Sequence, residues 1–532
     1  MRYLVTAEEM RRYDRFTSEG LGVPDIVLME RAASGAIFVL TEEIHDMHDP
    51  SILVICGYGN NGGDGLALAR MLHQRHYRVD AVLVGNPDKA SSLNELEAGI
   101  AANYGLRIRR VSTSEIPELS DELRTGRLKP SVIVDAVFGV GLSRPLADPY
   151  DGLVGAISYS GSYVASLDVP SGVNADGTGP RQPSVNADIT ITFGFWKLAH
   201  VLYPGAESCG RVVCADMGID EFSICGQAPV YRCLTDLNDV NLPARRTFSN
   251  KGTYGRLLII AGSRDIYGAA YMAARAAFET GTGMIKIITH ANNRQALQTT
   301  LPEAMHWFYD ETTSEDELRQ AVLDGMDWCD GILTGPGLGL DENARMLTET
   351  VILNGDKPVL IDADALKICA DDPGISEALI DGRRRGVIMT PHLGELSYMS
   401  GEPIGRIREN LTIFPQEFAD RMHVTLIAKD ARSIIASAGC GDRIYVNLSG
   451  NNGMATAGSG DVLSGICAGL MVQDAEDADL FETAVTAAYL HGLCGDAAAA
   501  GHGVRGMTAT DLIAEIRGVL ERVERKNERM KE

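Results

Sequence analysis

Basic residues are in short supply in this chain. Its 532 residues carry 48 Lys and Arg against 72 Asp and Glu, a formal net charge of -24. Nucleic acids and anionic membranes are bound through basic surface, so neither is an expected partner. Long apolar runs are also missing; none approaches the ~20 residues that span a bilayer. The ten cysteines are scattered without a Cys-x-x-Cys pair, Cys209 and Cys214 being the closest two. Isolated buried thiols in a reducing cytoplasm are expected, and metal ligation by cysteine is not. The N-terminus has no signal-peptide pattern and enters Thr6-Ala-Glu-Glu9, a capping box. His45-x-x-His48 and His73-x-x-His76 have helix-face spacing. No motif places a third ligand beside them, so they read as solvated helix surface.

What is present is ample material for cores. Hydrophobic residues make up 45% of the chain, and its length suggests two to four domains. One stretch, Asn451 to Gly465, organises the second half. A short strand from Arg443 to Asn447 precedes it, and a buried apolar helix covers Val462 to Met471. A Gly-rich turn between strand and helix aims the unpartnered first N–H groups of the helix at an anion. Gly458 and Gly460 let the backbone approach a phosphate. Asp461 reads either as a helix cap or as a base facing an acceptor hydroxyl. A carboxylate at a phosphate site repels the anion, which favours the base.

In the first half, apolar strands end in polar turns. Ser51 to Cys56 runs into Gly57 to Gly65, and a helix continues to about His76. Val79 to Val84, Ser131 to Ala136 and Tyr163 to Asp168 follow, then Ile189 to Phe195 and Arg211 to Ala215. This alternation argues a parallel, doubly wound sheet. Three strand ends carry the polar groups: Asn60, Asn61 and Asp64; Asp135; Asp168 and Ser171. Open α/β sheets bind ligands at such ends. Asn and Ser oxygens with a carboxylate suit a hard cation, although each turn alone reads as an Asx turn or cap. Trp196-Lys197, after a strand, reads as structural or as a ligand contact.

Three motifs in this half resemble a known family. Gly57 to Gly65, Val134 to Pro145 and Asp168-Val-Pro-Ser-Gly172 look like the NAD(P)H-hydrate epimerase domain, over roughly residues 1 to 220. The resemblance implies a Rossmann-like α/β/α sandwich that interconverts the R and S forms of hydrated NAD(P)H, NADHX and NADPHX. By carry-over, Asn61, Asp135 and Ser171 would hold a potassium ion. Asn60, Asn61, Gly62, Gly63 and Asp64 would contact the hydrate, with Gly139, Val140, Gly141, Leu142, Ser143, Arg144 and Pro145. Asp168 would contact it too and is the catalytic candidate. Arg31 stands where the family more often has Asn.

From Phe222 to Leu242 the periodicity breaks down, and a new strand begins at Arg256. Domains are therefore expected at 1–225 and 245–525, with a linker over 226–244. In the second half, the strand in Pro358 to Ala365 ends on Asp362 and Asp364, and the strand in Val387 to Glu395 ends on His392 and Glu395. Val424 to Asp430 follows. The motifs Gly335-Pro-Gly-Leu-Gly339, Asp362 to Leu366, Thr390-Pro-His-Leu-Gly-Glu395 and Asn452 to Asp461 resemble the ADP/ATP-dependent NAD(P)H-hydrate dehydratase, a branch of the ribokinase-like α/β fold. The resemblance implies Mg2+ with ADP or ATP as co-substrate. It places Lys429, Asp430, Ala431, Arg432 and Ser433 at the nucleotide, with Asn451, Asn452, Gly453, Met454, Ala455, Thr456, Ala457, Gly458, Ser459 and Gly460. It places Gly337, His392 and Asp461 at the hydrate. Glu395 is a candidate partner of magnesium-bound water. His392 has a second reading as a hydrogen-bonded structural histidine. Lys429-Asp430 departs from a common Lys-Gly pair.

Together the halves predict a two-domain α/β enzyme for metabolite repair. One half would epimerise the hydrates; the other would dehydrate the S form by phosphorylating its C6 hydroxyl and eliminating phosphate. Asp461 would be the catalytic base. A cytoplasmic homo-oligomer is expected. The alternative is a vitamin-type kinase, of the hydroxymethylpyrimidine or pantothenate kind, fused to a nucleotide-binding domain. A non-catalytic nucleotide sensor is a third reading, against which Asp461 argues.

Overall fold

The computed structural model describes residues 1–529 apart from 143, 225 and 474–478. The chain forms two compact units. One comprises Tyr3–Val230; the other comprises Tyr231–Glu532 together with Met1–Arg2.

In the first unit the strands are β1 (Arg2–Val5), β2 (Ser51–Cys56), β3 (Arg78–Val84), β4 (Ile108–Val111), β5 (Val132–Ala136), β6 (Tyr163–Leu167), β7 (Ile189–Phe193), β8 (Trp196–Lys197) and β9 (Arg211–Ala215). Seven of them form a parallel sheet in the order β4-β3-β2-β5-β6-β7-β9. The strand order reverses between β2 and β5, which opens a crevice at their C-terminal ends. The continuous apolar run of β2 is explained by its two covered faces. Ile52, Val54 and Cys56 join one core, and Leu53 and Ile55 the other. The first helix, Ala7–Arg15, carries the expected capping box between Thr6 and Glu9. The helix after β2, Asn60–Gln74, starts earlier than expected, so Asn60 to Asp64 form its first turn. It lies tight on the sheet. A Cβ on Gly62 would collide with the Gly57 carbonyl, and one on Gly65 would come within 2.6 Å of Ala136 Cβ.

In the second unit the strands are β10 (Tyr231–Cys233), β11 (Arg256–Ile260), β12 (Met284–His290), β13 (Met305–Tyr309), β14 (Gly331–Thr334), β15 (Val359–Ile361), β16 (Val387–Met389), β17 (Thr425–Ala428), β18 (Ile434–Ser437) and β19 (Ile444–Val446). Their order is β13-β12-β11-β14-β15-β16-β17-β18-β19-β10. Pairing is parallel from β13 to β17 and antiparallel through β18 and β19. Two expectations are corrected here. The segment 226–244, read as a linker, contributes β10, which pairs with β19. Residues 1 and 2 belong with this unit, not with the first. The helix Gly268–Thr280 packs on the helix Ser459–Gln473 through small residues. Gly465 abuts the Ala273 carbonyl, and a Cβ on Gly469 would sit 3.1 Å from Ala277 Cα.

Among the described residues, nine cysteines are free thiols and no helix is long and apolar enough to cross a membrane.

Candidate active sites

The crevice of the first unit is a cavity of about 1030 Å³ at the ends of β2, β5 and β6. Asn60, Asn61 and Asp64 line it from the helix Asn60–Gln74. Gly139, Val140, Gly141, Leu142 and Arg144 line it from the loop after β5, and Asp168 from the end of β6. Gly62 and Gly63 do not; they are buried against Gly57 and Met29. Pro145 is exposed and does not line it either. Ser143 lies outside the described residues.

Asp168 is a non-glycine residue with φ of 67°, so the chain holds it in a left-handed conformation at the crevice floor. Its Oδ1 lies 2.6 Å from Lys197 Nζ, and its Oδ2 accepts the Val140 amide at 3.0 Å. Burial pushes the Asp168 carboxyl up, but the Lys197 ammonium and these hydrogen bonds outweigh it and hold the group below the usual range. Lys197 also donates to Thr192 Oγ1 at 2.8 Å and to the Phe193 carbonyl at 2.9 Å. His200 completes the floor. Its Nδ1 accepts the Lys197 amide, so its Nε2 donates to the Asp168 carbonyl at 2.9 Å. Burial drops this imidazole to about 3, so it is neutral.

Asp135 is fully buried one strand away. Its Oδ1 accepts Ser171 Oγ at 2.6 Å; its Oδ2 accepts the Ser171 amide at 2.8 Å and Ser166 Oγ at 2.9 Å. Ser171 Oγ in turn accepts the Phe138 amide at 2.9 Å. The next residue, Gly139, is close to both Asn61 and Asp168. The side-chain oxygen and nitrogen of Asn61 are buried without a hydrogen-bond partner. A buried orphan amide asks for a ligand. A carbonyl-type oxygen, one carboxylate and one hydroxyl fit a cation of low charge, and no cluster of three or more carboxylate, His or Cys ligands exists among the described residues.

The sequence did not single out Asp14. It lines the same cavity, with Oδ1 buried and unpartnered. Burial first, then the charges of Asp168 and Asp25, push it up to about 6 despite Lys197. No motif surrounds Asp14, so only the folded chain reveals it.

The second site lies at the C-terminal ends of β14 to β17. The helix Ser459–Gln473 begins three residues before the expected Val462, so Gly460 and Asp461 sit in its first turn. Gly458 has φ of 90°, and a Cβ there would strike Met272 Sδ. Burial, then the Asp362 charge, pushes the Asp461 carboxyl up to about 7; Lys429 opposes this and Asp364 adds to it. Lys429 Nζ donates to Asp362 Oδ1 at 2.9 Å and would lie 3.3 Å from a Cβ on Gly460.

His392 caps the helix Leu393–Ser400: its Nδ1 accepts the amides of Gly394 and Glu395 at 3.0 and 3.2 Å. Glu395 Oε2 accepts the His392 amide at 2.9 Å. The structural reading of His392 is thus present in the Nδ1 contacts. Its side chain is nevertheless 60% exposed, which leaves Nε2 facing outward, 3.5 Å from Glu395 Oε1. With Oε2 taken by the cap, Oε1 is the oxygen that Glu395 could offer to metal-bound water. Thr334 and Thr390 end β14 and follow β16 with buried, unpartnered hydroxyls. Asp364 accepts the Gly339 amide at 2.9 Å, and Gly337 packs against Ile266.

Lys429 to Ser433 form the turn between β17 and β18, in which Asp430 and Ala431 are exposed. Arg432 donates to the Leu448 carbonyl, and Ser433 accepts the Asn447 amide through its carbonyl. Within Asn451 to Gly460 the side chains divide. Asn451 is committed to Gly453, Gly495 and Asp496, and Met454 packs against Gly450 and Gly495. Gly453 is hemmed in by Met507. Asn452, Ala455 and Ala457 are exposed, and Thr456 is half-buried. Ser459 Oγ lies 3.3 Å from His491 Nε2. Any nucleotide contact from Asn451, Gly453 and Met454 would therefore be through backbone.

Comparison with known proteins covers both units. Residues 257–517 match the family model of NAD(P)H-hydrate dehydratase, and residues 25–199 match that of the YjeF-related protein N-terminus. A bifunctional NAD(P)H-hydrate repair enzyme of Thermofilum pendens is 35% identical over 95% of this chain and 94% of its own. The enzyme of that description from Moorella thermoacetica is 33% identical over 98% and 97%. A solved structure described as the ADP/ATP-dependent NAD(P)H-hydrate dehydratase of Bacillus subtilis, co-crystallized with ATP/Mg2+, is 30% identical over 54% of this chain and 96% of that one, with a TM-score of 0.46. With both family models matched in order and identity above 30% along nearly the whole length, the chain belongs to the bifunctional NAD(P)H-hydrate repair enzymes.

Proposed function

We propose that the first unit interconverts the R and S forms of NADHX and NADPHX, and that the second dehydrates the S form at the expense of ADP or ATP. The observation that carries this reading is the pairing of two different sites on one chain. One is a crevice with an ionised carboxylate on a buried ammonium; the other is a carboxylate of raised pKa on a Gly-rich helix start. Relatives that match along the whole chain are repair enzymes, which leaves the vitamin-kinase alternative without support.

In the second unit, Asp461 takes the proton of the C6 hydroxyl as the terminal phosphoryl group of the nucleotide is transferred to that oxygen. The C6–O bond then breaks with phosphate as the leaving group, C5 loses a proton, and the ring double bond is restored. With ADP the co-product is AMP. His392 Nε2 faces the hydrate, and the amides around Gly458 to Gly460 cradle phosphate. Mg2+ would neutralise the transferring phosphates, with Glu395 Oε1 on its water.

In the first unit, Asp168 steadies the positive charge that develops as C6 loses its configuration. Asn61, Asp135 and Ser171 would hold K+, which would fix the loop after β5 over the hydrate. The buried free thiols fit a reducing, cytoplasmic setting.

The test is dehydration of a mixed-epimer hydrate with ADP and Mg2+, followed by the absorbance of NADH. The wild type should consume the mixture in one phase. Asp168→Ala should stall once the S form is gone. If that variant also clears the R form quickly, the first unit is not the epimerase.

A further inference from the structure

The mechanism above uses Asp461 and leaves a second buried carboxylate unexplained. Asp362 follows β15, reaches the helix Ser459–Gln473 at Ser464 and is 1% exposed. A buried carboxylate needs partners, and both its oxygens have them. Oδ1 accepts Lys429 Nζ at 2.9 Å, and Oδ2 accepts Ser464 Oγ at 2.5 Å. Ser464 is one helical turn after Gly460 and also donates to its carbonyl at 3.0 Å. Asp362 therefore ties β15, the end of β17 and the catalytic helix together at one point.

We propose that Asp362 is the positioning residue of the dehydratase site: it aims the Lys429 ammonium at the phosphate turn over Gly460 and sets the basicity of Asp461. This rests on the reading of Asp461 as the base. The geometry supports both parts. Lys429 Nζ is held on the Gly460 side of the helix start, where a transferring phosphoryl group needs positive charge. The Asp362 carboxylate is like-charged with Asp461 and bonds Ser464, which lies three residues along the helix and so on the same face as Asp461.

The charges around Asp461 can be enumerated by element. Asp362 and Asp364 face it from the end of β15, and Lys429 from the end of β17. From the helix Leu480–His502 comes His491, which burial brings to about 4 and so keeps uncharged at neutral pH. On the helix Gly268–Thr280, Arg275 and Glu279 pair with each other at 2.5 Å, further along than the Gly465 contact. On the helix Ala509–Arg529, Asp511 is taken up by Thr508. The turn Lys251–Tyr254 meets the catalytic helix at its other end, where Gly255 abuts Val472. Asp362 and Lys429 are thus the two larger charges acting on Asp461, in opposite directions, and Asp364 adds to Asp362.

That opposition makes the test. The readout is the acidic limb of kcat for full-length protein with S hydrate, ADP and Mg2+, and circular-dichroism melting of the same preparation reports folding. Asp362→Asn removes a negative charge and frees Lys429 to pair with Asp461. Its acidic limb should move down by about one pH unit or more, the size of a close charge effect. It should also raise the KM for ADP, because Lys429 is no longer aimed at the turn. Lys429→Met removes a positive charge, and its limb should move up. Ser464→Ala loosens Asp362 without removing charge; its limb should stay within a few tenths of a unit while kcat falls, which is the mark of lost positioning. If Asp362→Asn and Lys429→Met both lose rate with the limb unmoved, Asp362 is a packing residue and the proposal fails. If Asp461→Asn retains full dehydration, the base assignment fails instead. Should Asp362→Asn not fold, Ser464→Ala decides, and an unchanged kcat in that variant overturns the proposal.

Discussion

Lys197 Nζ and Asp168 Oδ1 lie 2.6 Å apart on the floor of the first crevice, with Lys197 only 1% exposed. All three ammonium protons have partners: Asp168, Thr192 Oγ1 and the Phe193 carbonyl. The positive charge of Lys197 keeps Asp168 ionised in a place where burial would protonate it. The pair is costly to desolvate, and removing either member leaves a buried charge. Its cost is explained by the charge that it presents to the cavity.

Lys197→Met should therefore raise the Asp168 pKa and neutralise the crevice at neutral pH. The expected result is a loss of R-to-S conversion by ~10²-fold, with partial recovery as pH is raised and Asp168 ionises. Dehydration of the pure S form should persist. Unchanged epimerisation at pH 7 would show that the pair is only structural.

Asp135→Ala should act through the cation. Asp135 is the one charged member of the set with Asn61 and Ser171, and it also anchors the Ser171 loop. Epimerisation should fall and lose its dependence on added KCl, while dehydration of the S form continues. Retained potassium activation would remove Asp135 from the ion site.

Asp461→Asn should keep nucleotide binding and lose dehydration by ~10²-fold or more, the scale of a general-base contribution. Titration calorimetry with ADP and a turnover assay on the S hydrate separate the two effects. Near wild-type turnover would exclude the base role.

The same variant has an expected stability signature. The Asp461 carboxyl is raised to about 7 in the folded chain, above its unfolded value. Stability from this group is full below the unfolded pKa and is lost as pH rises through about 7, because ionisation is then penalised only in the folded state. Asp461→Asn should melt higher than wild type at pH 8 and equally near pH 3. A melting difference independent of pH would contradict the raised pKa.

Gly460→Val should place a branched side chain about where Lys429 Nζ and a phosphate must meet, since even a Cβ lies 3.3 Å from that nitrogen. ADP affinity should fall while epimerisation is untouched. Unaltered ADP binding by calorimetry would make the turn structural.

The sequence by itself determined the two-unit α/β architecture, since alternating apolar runs and Gly-rich strand ends depend on local patterning that needs no partner to be read. It also singled out the motifs around Asp135, Asp168, His392 and Asp461 as candidates, because each is contiguous in the chain. Tertiary structure decided three further things. It decided which residues of the motifs stay out of the crevice or are tied up within the protein: Gly62 packs against Gly57, Gly63 against Met29, and Asn451 bonds to Asp496. It decided that the expected linker contributes β10, whose three residues are too few to show a period and gain their strand character only by pairing with β19. Finally, it brought together partners that are distant in sequence, Asp168 with Lys197 and Asp362 with Lys429 and Ser464. A carboxylate's basicity is set by the charges and the burial around it in space. No spacing along the chain encodes that environment until the strands are side by side.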